Sequence, residues 1–138
     1  MNTVIRANLQ RCLRSPYLRE DQLKRHEIGT ELAAARELYE QAKASFEAED
    51  TTTGMKQAWG AMFRAGRALV YAAGYDFDGL RCMEVVLEAH YLGNGLEAAD
   101  FEAFRAAQKL HGSPEEALAR ASAFIDKVKQ ILQTTQTA

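Results

Sequence analysis

A chain of 138 residues, 47% hydrophobic and 26% charged, has the size and balance of one soluble globular domain with a buried core. Its apolar runs fall far short of the roughly eighteen residues a membrane span needs, and the opening MNTVIRANLQRCLR lacks a signal-peptide h-region. Cys12 and Cys82 fit no metal or redox spacing, so the expectation is two inert thiols in a reducing cytoplasm.

The net charge of −2 hides an asymmetry. Residues 1–26 carry Arg6, Arg11, Arg14, Arg19, Lys24 and Arg25 against Glu20 and Asp21, for +4, whereas residues 27–50 carry seven acids against Arg36 and Lys43, for −5. A basic leader can meet nucleic acid. The favoured expectation is that it packs on the acidic helix that follows, in its own chain or in a partner subunit.

In chain order, Val4, Ile5, Leu9, Cys12 and Leu13 form a short helical stripe that ends at Ser15-Pro16. The charged stretch 15–27 reads as a connector with one helical turn. From Ile28, the positions Ile28, Leu32, Ala35, Tyr39, Ala42 and Phe46 step by four and three, a bundle seam, with Glu31, Glu37, Glu40, Lys43 and Glu47 assigned to the outer face. Thr51-Thr52-Thr53-Gly54 supplies a turn and cap.

The organising element follows. In MKQAWGAMFRAGRALVYAAG, residues 55–74, Trp59, Met62, Phe63, Gly66, Leu69, Val70 and Ala73 mark one helix face, and alanines and Gly60 keep the remainder small. A helix like this can be approached from several sides, and Gly74 fits a left-handed stop. Asp78 then caps a helix carrying Leu80, Met83, Val86, Leu87 and Tyr91. Asp100 caps a shorter one with Phe101, Phe104 and Leu110. Ser113-Pro114-Glu115-Glu116 has the form of a capping box and opens the last helix, whose seam is Leu118, Ala121, Ile125, Val128 and Leu132. The tail TTQTA, 134–138, frays. No run alternates with period two over strand length, so no sheet is expected. The prediction is an all-α antiparallel bundle of four to five helices, with a basic leader over 1–27 and the bundle over 28–133.

The chain holds no Gly-rich phosphate loop, no paired-cysteine zinc spacing and no His-Glu-x-x-His helix. No metal or other cofactor is expected. His90, near the end of an apolar helix, reads as a histidine satisfied by a neighbouring carbonyl, and His26 in Lys-Arg-His as a solvated one. His111 sits at a helix junction, before the N-terminus of the last helix, where backbone amides favour negative charge. Arg105 lies six residues back, about 1.7 turns, with Lys109 between. An arginine to hold an anion beside a histidine that trades protons near neutral pH suits phosphodiester chemistry. The same histidine in a last helical turn also complements the helix dipole without any further role.

The stretch KQAWGAMFRAGRALVYAAGYDFDGLRCMEVVL, with the preceding seam helix ELAAARELYEQAKASF, resembles the HEPN family (higher eukaryotes and prokaryotes nucleotide-binding). Ala61-Met62-Phe63, Arg67-Ala68-Leu69 and Tyr71-Ala72-Ala73-Gly74 match the family's helix, and the similarity covers about 28–133. The resemblance implies an all-α bundle, commonly a homodimer, that acts in many members as a metal-independent endoribonuclease of toxin or defence type. It assigns Arg105 and His111 as an Arg-x5-His catalytic pair, with Lys109, Arg64 and Arg67 holding RNA or a nucleotide and an antitoxin or other protein as a further partner. Three departures stand against activity: Ala106 where active members often carry a polar residue, Ser113 where one subgroup has tyrosine, and Arg64 where a histidine or other polar group is often seen. Other branches of the family are non-catalytic modules that bind a nucleotide or a partner protein.

Overall fold

The computed structural model describes the backbone of residues 2–137 and the side chains of residues 2–134. Six α-helices run in order: α1 (Thr3–Leu13), α2 (Ile28–Glu47), α3 (Thr51–Ala72), α4 (Leu80–Tyr91), α5 (Ala98–Gln108) and α6 (Pro114–Thr137). The all-α bundle expected from the seams is present. Two three-residue strands, β1 (Leu18–Glu20) and β2 (Tyr75–Phe77), pair antiparallel, and a 3-10 helix spans Gln22–Glu27. This small sheet corrects the expectation of none. Three residues are too few for an alternating pattern to show, and the pairing joins residues 55 to 59 apart in sequence, Leu18 with Phe77 and Glu20 with Tyr75.

Helix α3 is the centre. It packs most extensively on α2 and then on α6, and Ala61, Met62, Ala65, Ala68, Leu69 and Val70 on it are fully buried. Its small residues allow the close approach. A Cβ built at Gly66 would stand 2.7 Å from Met83 Cε, so a larger residue there would make the end of the Met83 side chain move. Met83, Val86 and Leu87 of α4, Phe104 of α5 and Val128 of α6 complete the core. Gly74, with φ of +92°, ends the helix in the left-handed conformation the sequence calls for.

Several caps fall away from their expected places. Asp50 caps α3, accepting from the Thr53 amide. Gly79 is the N-cap of α4 and has no side chain to cap it, while Asp78 pairs with Arg19. At α5, Glu97 is the N-cap and Asp100 its capping-box partner at the third position. At α6 the box is as read: Ser113 Oγ accepts from the Glu116 amide and the Glu116 carboxylate accepts from the Ser113 amide, each at 3.1 Å. The TTQTA segment, expected to fray, continues α6 through Thr137, and Ala138 lies outside the described residues.

Helix α1 of the leader packs on α4 and β1 rather than on the acidic helix of its own chain, which the 3-10 segment Gln22–Glu27 meets where it runs into α2. Leu9 and Cys12 of α1 are buried against α4 and β1, and Cys12 is disulfide-bonded to Cys82, with Cα atoms 5.8 Å apart. The two inert thiols of the sequence reading are thus replaced by a covalent tie across 70 residues, and free thiols no longer argue for a reducing compartment. Spacing gave no warning because the pairing depends on how α1 lies across α4.

Candidate functional site

The five candidate residues do not converge. Arg105 lies on the exposed side of α5 and turns to α4, its Nε 3.5 Å from Glu84 and its Nη2 3.6 Å from Glu88. The cleft beside it, about 190 Å³ in volume, is lined by Glu88, Leu92, Ala98, Phe101, Glu102 and Arg105. With Glu84, the surroundings of this one guanidinium carry more negative than positive charge.

Beyond α5 the chain turns through Leu110 in the left-handed region, at φ of +56°. His111 then sits exposed in the junction, its amide donating to the Ala106 carbonyl and its own carbonyl accepting from Arg120 Nη2. Among the described residues no hydrogen bond or ion pair joins the His111 imidazole to Arg105. The amides expected to favour an anion at the start of α6 are mostly engaged: Pro114 has none, the Glu116 amide goes to Ser113 Oγ, and the Ser113 amide holds the Glu116 carboxylate. Those bonds from Ser113 hold the Glu116 carboxyl below its ordinary range. An anion already occupies this helix end, supplied by the chain itself. Lys109, at the C-cap of α5, is exposed.

Arg64 and Arg67 come together, but around an acid that the sequence reading placed on the outer face. Glu31 is only 5% exposed. Arg67 Nη2 lies 2.9 Å from one of its oxygens and Arg64 Nη1 3.3 Å from both. Phe63 and Tyr71 flank the Arg67 guanidinium at 5.3 and 5.9 Å, and burial pushes the Tyr71 phenol up. Two cations against one buried carboxylate form a structural clamp between α2 and α3. The signal was in the spacing: Glu31 lies three residues after Ile28 and four before Ala35, the step of the seam itself.

His90 lacks the carbonyl partner expected for it: among the described residues no carbonyl accepts from its ring. Its ring packs 5.4 Å from that of Tyr75, its Nε2 is buried without a hydrogen-bond partner, and burial lowers its pKa. The adjacent Tyr91 donates its hydroxyl to the Leu69 carbonyl at 2.6 Å, and burial raises its pKa to about 12.

Among the described residues no group of three or more His, Cys, Asp or Glu side chains is placed to hold a metal ion, and no helix is long and apolar enough to cross a membrane. No protein-family model matches the chain, and no curated protein matches it either.

Proposed function

We propose that this chain is a non-catalytic, HEPN-like helical module that binds a partner protein. The observation that carries the reading is the pairing of Arg105 with Glu84 and Glu88. A phosphate approaching Arg105 meets two carboxylates beside one guanidinium, so it gains one cation and faces the repulsion of two anions. Arg64 and Arg67 are committed in the same sense, to Glu31. A nucleotide would need those cations free, whereas a protein partner would not.

One observation favours the ribonuclease reading. His111 and Lys109 are exposed at a helix junction, free to face a second copy. In a homodimer, release of Arg105 from α4 would bring the Arg-x5-His pair into use. RNA cleavage by the purified protein in excess EDTA separates the two readings, with His111→Ala and Glu84→Gln/Glu88→Gln variants run beside it. The expected result is no cleavage by any of the three. Cleavage by the parent that rises in the glutamine variant and disappears in His111→Ala would replace the module reading with the nuclease.

A further inference from the structure

Resting on the protein-binding reading, we infer that the outer face of α1 is the docking surface for an acidic amphipathic helix of the partner protein. Val4, Ala7, Arg11 and Arg14 step by three, four and three, so they share the face opposite the buried Leu9 and Cys12. All are exposed, Val4 by 68%. Arg6 flanks this face, and Tyr17, just past the helix, is 56% exposed.

The charge on this surface is uncompensated. Residues 1–19 contain no acid. Arg19, the last cation of that run, is satisfied by Asp76 and Asp78, at 2.7 and 3.1 Å. Arg6, Arg11 and Arg14 form no ion pair with any described residue. In this they differ from Arg64, Arg67 and Arg105. The disulfide ties α1 to α4 beside Arg11, with the Cα atoms of Cys12 and Cys82 5.8 Å apart, and so holds this face in place on the bundle.

The side chains favour a protein over a phosphate-bearing partner. Arginine and tyrosine are the residue types that anchor protein interfaces, and lysine, depleted there, does not occur in residues 1–19. Val4 and Tyr17 offer apolar contact at the two ends of a helix about 16 Å long. Ala7, between Val4 and Arg11, lets a second helix approach closely. An acidic helix whose apolar stripe is flanked by glutamates meets all of these features.

The test uses the oxidised, full-length protein and a labelled helical peptide in which glutamates flank a leucine stripe, with a lysine-for-glutamate peptide as control. Fluorescence anisotropy at low salt should show binding of the glutamate peptide alone. Affinity should fall about tenfold or more in Arg11→Glu/Arg14→Glu, and stay unchanged in Arg36→Glu, which reverses an exposed arginine on α2. Circular dichroism checks that the double variant keeps its helix. Failure of the glutamate peptide to bind, or binding untouched in the double variant, overturns the inference. So does tighter binding of oligothymidine or phosphatidylserine vesicles through the same arginines, since the surface would then read phosphate. None of these outcomes depends on RNA cleavage, so a failed docking surface and a failed module reading give different results.

Discussion

Glu31 shows how a single charge is positioned by its partners. Its carboxylate is buried between α2 and α3, yet Arg64 and Arg67 retain side-chain exposures of 38% and 24%. Removing the acid leaves two cations that can turn to water, whereas removing Arg67 leaves a buried carboxylate with only Arg64. Arg67→Ala should therefore cost about 3 kcal/mol of stability, at the low end for a broken buried pair, and Glu31→Ala clearly less. Urea denaturation of both variants measures the order, and the reverse order would show that the arginines are not held for structure. His90 makes the complementary case at low pH. Its burial lowers the folded-state pKa below the ordinary value of about 6.5, so below that pH the unfolded chain takes up a proton that the native chain resists. Stability should fall as pH drops from about 6.5, and a His90→Asn variant should show a flatter profile over the same range. Thermal melts across that range decide it.

At the level of elements, the helices follow from seams and caps, and their relative placement from the links between them. The α1–α4 contact depends on Leu9, Cys12 and the disulfide, while residues 17–24 are held separately by β1–β2 pairing and by Arg19 and Lys24 on Asp76. Reduction should release α1 before the strand pair. The expected loss is about 4 kcal/mol, from the chain entropy regained by a loop of this length. Hydrogen exchange of reduced and oxidised protein would show it as a general rise in exchange that is largest in α1, and equal protection in both states would mean that packing alone holds the helix. The Arg105 position is decided in the same way. Its place on α5 was legible from the chain, but its carboxylate partners sit on α4, 17 and 21 residues earlier in sequence.

Across the whole molecule, the charge asymmetry of the sequence is kept but redistributed. Helix α1 of the basic leader lies on α4 rather than on the acidic α2, its arginines remain exposed, and the acids of α2 face outward, apart from Glu31. The sequence by itself determined the helix positions, the small-residue centre at α3, the stop at Gly74 and the capping box at α6, because each rests on contacts or backbone geometry within a few residues. Only the tertiary structure decided the disulfide, the strand pair, the Glu31 clamp and the engagement of Arg105, because each joins residues 17 to 70 apart in sequence. The periodicity of one helix reports which face is buried. It carries no information about which polar group of another helix waits there, and the charge state of the candidate site was settled at that level.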